Sequence, residues 1–210
     1  MDGSTDTPIG SPPAASSSNH SGLAGSAEDG FAVGDVSSNP KLVRTRSVLA
    51  SIDGGADGLV HNLRHPSAVR AVERAAHLGD GGAIWLLLLA VFGGRNPKAA
   101  LRAAGFLALG SVLVNGPLKK VSSRPRPLPL VDGSFRPKGS SFPSGHSFSS
   151  WLMVLLLPPV RGLRLLAVPL ASFIAFSRVF LRYHHPSDVV AGSLLGASVG
   201  LWLRRIVRWR

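Results

Sequence analysis

This chain is organised around three stretches: KKVSSRPRP at Lys119–Pro127, PSGH at Pro143–His146 and SRVFLRYHHPSD at Ser177–Asp188. Together they supply fixed cations, histidines, a hydroxyl and a carboxylate, and apolar segments lie between and after them. Lys and Arg bind phosphate oxygens, and a histidine can attack phosphorus or give a proton to an oxygen. The pattern therefore predicts that the three stretches meet around one phosphate group.

The composition of the 210 residues predicts one domain, and 45% apolar residues are enough for a substantial core. The chain has no cysteine, which excludes disulfides and thiolate chemistry. Its formal net charge of +12 indicates an anionic partner, which is a nucleic acid, a membrane surface or a phosphorylated substrate. Beyond Asp80 the only carboxylates are Asp132 and Asp188. No metal site is expected in this half, because hard cations need several oxygen ligands.

Residues 1–60 are rich in Ser, Gly, Asp, Asn and Pro, and their few apolar residues show no period. Such a segment buries too little surface to offset its ordering entropy, so we predict a disordered tail ahead of a folded domain at residues 61–210. The acidic start and the lack of an apolar core segment argue against a secretory signal. Lys41–Arg46 is weakly basic, which fits either a solvated linker or contact with anionic lipid headgroups.

Residues 61–210 predict an all-α membrane bundle of about five spans plus an amphipathic helix. The apolar runs are Ala83–Phe92, Ala99–Leu118, Phe148–Val160, Leu165–Leu181 and Val189–Leu203. Because a span needs about 20 residues, the shorter runs must continue into the motif residues at one membrane face. Pro66–Leu78 is amphipathic and either lies in the membrane interface or packs against the bundle. Gly192, Gly196 and Gly200 recur at every fourth position, which permits close packing of the last helix.

Lys119, Arg126 and Arg178 are the candidate phosphate-binding cations. Phosphoryl transfer places charge on three equatorial oxygens, and the protein mainly positions the group and stabilises that charge. A planar guanidinium suits this task because it binds two phosphate oxygens at once. The alternative is that these cations bind lipid headgroups near a membrane end.

The tetrapeptide PSGH precedes an apolar helix, and Ser144 is expected to cap that helix. The exposed N–H groups of such a helix start form an anion site, and Gly145 allows a close approach of the backbone to an oxyanion. His146 is then in the first turn, facing the same space. The alternative is a surface histidine beside a helix cap.

In HHPSD, Pro186 is expected to open the last helix and to place Asp188 in its first turn. The carboxylate could then hold one nitrogen of His184 and leave the other free to attack phosphorus, which is the orienting arrangement of a catalytic triad. The alternative is that Asp188 only caps the helix.

The three stretches resemble the signature of the type 2 phosphatidic acid phosphatase (PAP2) superfamily. That signature is Lys-x6-Arg-Pro, then Pro-Ser-Gly-His, then Ser-Arg-x5-His-x3-Asp, and the resemblance covers about residues 66–206. Every fixed position is matched: Lys119, Arg126, Pro127, Pro143, Ser144, Gly145, His146, Ser177, Arg178, His184 and Asp188. Membrane members of the family commonly have six spans, which differs from the five expected here.

The resemblance implies a membrane phosphatase with a PAP2/haloperoxidase-like core that needs no metal or other cofactor. It implies that His184 is a nucleophile forming a phosphohistidine, that Asp188 orients it and that His146 first protonates the leaving oxygen and then activates water. The implied phosphate-binding groups are Lys119, Arg126, Arg178, Ser144 and the Gly145 N–H. The expected substrate is a lipid phosphate, either a polyprenyl-linked phosphate or diphosphate or a phosphatidic-acid type, in a bacterial plasma membrane.

Three other functions compete with this one. A vanadate-dependent haloperoxidase shares the constellation, but those proteins are soluble and larger. A catalytically silent scaffold that binds anionic lipid would be expected to lack one of the two histidines or Asp188. A nucleic-acid-binding protein is favoured only by net charge, since no recognition helix pattern is present.

Overall fold

Helices make up the fold in the computed structural model, which describes residues 40–128, 130 and 137–209. In chain order they are α1 (Pro40–His61), α2 (Pro66–Ala76), α3 (Ala83–Phe92), α4 (Pro97–Leu113), α5 (Lys119–Ser122), α6 (Gly145–Leu156), α7 (Leu163–Phe180) and α8 (Pro186–Leu203). A 3-10 segment at His77–Gly82 joins α2 to α3, and a π-helical turn at Val114–Leu118 joins α4 to α5. The predicted all-α fold is confirmed.

Within the described residues, four helical stretches are long and apolar enough to cross a membrane, where about five were expected. They are Pro66–Phe92, Pro97–Ser122, Leu163–Phe180 and Pro186–Leu203. The expected span that is missing is the run Phe148–Val160. Its helical part belongs to α6, which is only 12 residues long. At 1.5 Å per residue such a helix is about 18 Å long, against a hydrocarbon core of about 30 Å. Most residues of α6 are buried, so this helix lies inside the bundle rather than forming its lipid-facing wall.

The expected amphipathic helix and the short run Ala83–Phe92 are two parts of one candidate span of 27 residues. Val69 and Val72 of α2 pack against a buried cluster that contains Phe180 and Leu181. Of the two settings expected for the amphipathic helix, the structure therefore shows packing against the bundle.

Glycines on one face of α8 allow α6 to pack directly against its backbone. A β-carbon at Gly192 or Gly196 would collide with the carbonyl oxygen of Ser144 or Phe148, respectively. The expected role of these glycines in close packing is confirmed. The contact also brings the starts of the two helices together, and the Ser144 N–H donates to the carbonyl oxygen of Asp188 at 3.0 Å.

Helix α1 occupies residues 40–61, most of which the sequence predicted to be disordered. Asp57 of α1 forms ion pairs with Arg64 and Arg182, and Val60 is buried against the cluster around Phe180. These tertiary contacts, which leave no periodic signal in the sequence, order the helix, so the folded unit begins ahead of residue 61. Residues 1–39 of the predicted tail, and the side chains of the basic stretch at residues 41–46, lie outside the described part of the chain.

Candidate active site

The motif stretches meet at one end of the bundle, where α6 and α8 begin and α7 ends. The His184 N–H donates to the carbonyl oxygen of Arg178 at 3.1 Å, which ties the start of α8 to the end of α7. The ring of the same histidine contacts the backbone of Ser141, just ahead of α6. The predicted convergence of the second and third stretches is shown by the hydrogen bond from the Ser144 N–H to the carbonyl oxygen of Asp188.

His184 is only 4% exposed, and its two ring nitrogens have different partners. Nδ1 is 2.6 Å from the carbonyl oxygen of Ser141, which can only accept, so Nδ1 carries the proton. Nε2 then holds the lone pair, and the Arg126 guanidinium donates to it at 3.2 Å. This tautomer directs the unprotonated nitrogen of the ring toward a fixed cation.

Burial lowers the pKa of His184 to about 4, and the positive charge of Arg126 acts in the same direction. The carboxylate of Asp188 opposes both effects. At neutral pH the ring is uncharged, which is the state that a nucleophilic nitrogen needs.

Asp188 is completely buried, and its contacts differ from those expected. Its Oδ2 accepts from the His185 N–H at 2.9 Å, which forms the predicted capping box at the start of α8. The same oxygen lies 3.8 Å from Nδ1 of His184, beyond hydrogen-bond distance, and the Ser141 carbonyl takes that position instead. The sequence-based expectation of a direct carboxylate–imidazole hydrogen bond is thus not met in this structure. Oδ1 accepts from Arg124 at 2.6 Å.

The three candidate phosphate-binding cations occupy two sides of the site. Arg126 is 8% exposed, and backbone carbonyls of Gly139 and Tyr183 accept from its guanidinium. Lys119 begins α5, close enough for its charge to lower the pKa of His184. Arg178 is buried on the other side, where it donates to the Ala76 carbonyl at 2.9 Å.

The residues of the PSGH stretch begin α6 as expected. The Ser144 side chain caps the helix by accepting from the Ser147 N–H at 3.4 Å, and the Ser147 hydroxyl donates to it at 3.0 Å. Gly145 is held so close to Asn115 that an added β-carbon would lie 2.6 Å from the amide oxygen. In this structure the close approach that the glycine permits is therefore to a neighbouring side chain.

His146 lies in the first turn of α6 and is more accessible than His184, with 32% of its side chain exposed. Its Nε2 is 3.2 Å from Oδ1 of Asp80, and the guanidinium of Arg178 is 3.8 Å from the same oxygen. Burial and the charge of Arg178 together lower the pKa of His146 to about 4, and the Asp80 carboxylate opposes both effects.

Sequence reasoning missed three residues of this site: Asp53, Asp80 and Arg124. Asp80 lies in a Gly-Asp-Gly-Gly stretch that was interpreted only as a helix breaker, and Asp53 lies in the predicted tail. Arg124 falls between the fixed positions of the first stretch. Its position two residues before Arg126 was the one signal that could have indicated it.

A cavity of about 250 Å³ is lined by residues of the site that include Glu73, Asp80, His146, Arg178 and Tyr183. A separate apolar groove of about 550 Å³ is formed by α4, α6 and α8. Leu118 and Val121, which flank the start of α5, line one end of this groove, and Trp202 lines the other. An aliphatic chain in the groove would therefore end near the polar site.

Comparison with known sequences shows which protein family this chain resembles. The profile of the PAP2 superfamily matches residues 99–210. Decaprenylphosphoryl-5-phosphoribose phosphatase of Mycobacterium tuberculosis is 32% identical over 142 residues, which cover 64% of this chain and 78% of that protein. Undecaprenyl-diphosphatase of Sulfolobus acidocaldarius is 34% identical over 87 residues, or 39% of this chain and 42% of that protein.

Comparison with solved structures finds proteins with a similar fold. A transmembrane PAP2 type phosphatidylglycerolphosphate phosphatase from Bacillus subtilis superposes with a TM-score of 0.63 at 23% identity, covering 76% of this chain and 86% of that one. Aquifex aeolicus LpxE superposes with a TM-score of 0.59 at 26% identity, covering 72% of this chain and 93% of that one. The helical bundle is therefore similar to the folds of these two proteins.

Proposed function

The chain belongs to the PAP2 superfamily of membrane lipid-phosphate phosphatases, and we propose that it hydrolyses a polyprenyl-linked phosphate or diphosphate through a phosphohistidine at His184. The observation that carries this proposal is the tautomer of His184. The Nδ1–H is fixed by the Ser141 carbonyl, and the Nε2 lone pair faces the Arg126 guanidinium. A phosphate held by that cation would lie against the nucleophilic nitrogen.

In the first step Nε2 of His184 attacks phosphorus, and the bond from phosphorus to the leaving oxygen breaks. The ring becomes cationic as the new bond forms. The Ser141 carbonyl oxygen at 2.6 Å from Nδ1 and the Asp188 carboxylate behind it stabilise this positive charge. Lys119, Arg126 and Arg178 neutralise the phosphoryl oxygens, so the charge stabilisation requires no metal ion.

His146 supplies the proton that the leaving oxygen needs. With a pKa of about 4 the ring is neutral in the free protein at pH 7. A bound phosphate dianion raises that pKa, because an adjacent negative charge favours the charged form of the ring. His146 thus becomes an acid only when substrate is present. In the second step it takes a proton from the attacking water, the bond from phosphorus to Nε2 breaks, and inorganic phosphate leaves.

The lipid portion of the substrate is assigned from the groove and from the relatives. The groove between α4, α6 and α8 is apolar and reaches the start of α5, which suits a long hydrocarbon chain with its phosphate near Lys119. The Mycobacterium and Sulfolobus enzymes are both named for polyprenyl-linked substrates. The Bacillus subtilis structure is of an enzyme named for a glycerolipid phosphate, so phosphatidic-acid-type lipids are the second candidate.

The test is phosphate release by the purified protein in detergent with EDTA, from a panel of polyprenyl and glycerolipid phosphates. We expect release from the polyprenyl substrates, no release by His184→Ala and near-normal release by His185→Gln, the adjacent histidine. With 32P-labelled substrate, wild-type protein quenched in alkali should carry label that acid removes, as expected for a phosphohistidine. Full activity in His184→Ala would disprove the mechanism, and turnover of glycerolipid phosphates alone would disprove the substrate assignment.

A further inference from the structure

The guanidinium of Arg124 joins two buried carboxylates that come from opposite ends of the folded chain. One nitrogen donates to Oδ1 of Asp188 at 2.6 Å and to the hydroxyl of Ser187 at 2.7 Å. The other nitrogen donates to Oδ2 of Asp53 at 2.6 Å. A planar guanidinium that bonds two groups at these distances has a fixed orientation, which a lysine could not reproduce.

We call Arg124, together with the two carboxylates that it joins, the clamp. Asp53, which belongs to α1, is the end of the clamp farther from His184. It is 6% exposed, although carboxylates are rarely buried unless they are paired. Besides Arg124, it accepts from the Ser187 N–H and from the Ser187 hydroxyl, both at 2.9 Å. Asp53 therefore binds the first turn of α8, where the helix dipole favours a negative charge.

Asp188 is the near end of the clamp. Within the described residues, Arg124 is the side chain that places a positive charge in hydrogen-bond contact with this completely buried carboxylate. An unpaired carboxylate at such a site would be costly, so the cation keeps the group ionised. It also fixes the direction in which the second oxygen faces Nδ1 of His184.

We propose that Arg124 and Asp53 are positioning residues, which hold Asp188 ionised and aligned behind the imidazole of His184. This inference rests on the proposed role of His184 as the nucleophile. Helix α1, which lies outside the family-matched residues 99–210, thereby completes the site. Because neither residue touches the reacting atoms, their loss should lower kcat and leave KM nearly unchanged.

The test compares full-length variants in detergent, using a lipid phosphate that the wild-type protein hydrolyses. For Arg124→Gln we expect kcat to fall about 10- to 100-fold, as for other residues that position a reacting group indirectly. Asp53→Asn should show a smaller loss, and Arg124→Lys should recover part of the activity because it restores the charge. Without the cation Asp188 is no longer held ionised, and the carboxylate that favours the protonated ring of His184 is weakened. The pKa of His184 then falls further, so the acid limb of the pH profile should move to lower pH in Arg124→Gln.

Asp57→Asn is the matched control. Asp57 anchors the same helix through Arg64 and Arg182, and none of its hydrogen bonds in the described structure goes to Asp188. If α1 mattered only as packing, Asp57→Asn would lose as much activity as Asp53→Asn. We expect Asp57→Asn to keep its kcat and its pH profile.

Wild-type kcat in both Arg124→Gln and Asp53→Asn would overturn the inference. A raised KM with unchanged kcat would also overturn it, because Arg124 would then bind substrate directly. If Arg124→Gln does not fold, Asp53→Asn, which removes half of the clamp, decides the question. Activity in His184→Ala would refute the proposed function itself, whereas an inactive His184→Ala beside fully active clamp variants would refute this inference alone.

Discussion

The two histidines of the site lie in different surroundings. His184 is 4% exposed and has a backbone acceptor on one nitrogen and a guanidinium on the other. His146 has 32% of its side chain exposed, and it faces a carboxylate, Asp80, that is itself 49% exposed. Both ring nitrogens of His184 have protein partners, whereas the His146 ring borders a cavity of about 250 Å³.

This difference fits two chemical tasks. A nucleophile must present its lone pair in one direction and in the neutral state, which burial and a fixed tautomer provide. An acid that later becomes a base must exchange protons with a departing oxygen and with water, so it needs access to both. Four predictions test this arrangement of the site, and the size of the expected change decreases from the first to the last.

His146→Ala should lower kcat for a lipid phosphate by about 10²- to 10⁴-fold, the usual contribution of general acid–base catalysis. The loss in phosphoenzyme formation should be far smaller for p-nitrophenyl phosphate, whose leaving group needs no proton. Rapid-quench measurement of phosphoenzyme with both substrates checks this. An equal loss with the two substrates would mean that His146 is not the acid.

Acid should destabilise the protein through His184. Its pKa is lowered from 6.5 to about 4 in the folded state, so the unfolded chain binds the extra proton between these values. Stability therefore rises with pH across the window from 4 to 6.5, by on the order of 3 kcal/mol for this group. The unfolding midpoint in detergent should vary less with pH in His184→Asn than in the wild-type protein. The pH dependence of the unfolding midpoint should also weaken in His146→Asn, but by less, since that ring is more exposed. The same pH dependence in all three proteins would contradict the comparison.

The sequence allowed several of these features to be predicted, because they depend on local rules. Ser144 caps α6, Pro186 opens α8 and Asp188 forms a capping box, as their positions before apolar helices indicated. The glycine repeat of α8 likewise indicated the face that packs against α6.

Other features could not be predicted, because they depend on groups with no sequence signature. The acceptor for Nδ1 of His184 is a backbone carbonyl, which every residue has. Asp53 meets Arg124 across 71 positions of the chain, and its own segment shows no apolar period. The run at Phe148–Val160 is apolar because α6 is enclosed by protein, and composition alone does not distinguish this from contact with lipid.

Gly196→Ala should separate the helices that carry the two halves of the site. A β-carbon there would collide with the Phe148 carbonyl, and such overpacking costs about 1–3 kcal/mol. Gly105→Ala is the control, since Gly105 lies within α4 with nothing near its added β-carbon. That change should be neutral or slightly stabilising, because alanine favours a helix by about 0.5–1 kcal/mol over glycine. Thermal unfolding of both variants checks this, and equal midpoints would show that α6 and α8 tolerate a wider spacing.

Asp80→Asn should produce the smallest effect, about a tenfold loss of kcat, which corresponds to about 1.4 kcal/mol. The Asp80 carboxylate opposes the lowering of the His146 pKa, so its removal lowers that pKa further. The protonated ring is then rarer in the substrate complex, and the basic limb of kcat should move to lower pH. Arg124→Gln, by contrast, should move the acid limb through His184. If the basic limb moves in Asp80→Asn and the acid limb moves in Arg124→Gln, each carboxylate acts on its own histidine. If the same limb moves in both variants, the two histidines titrate as one unit.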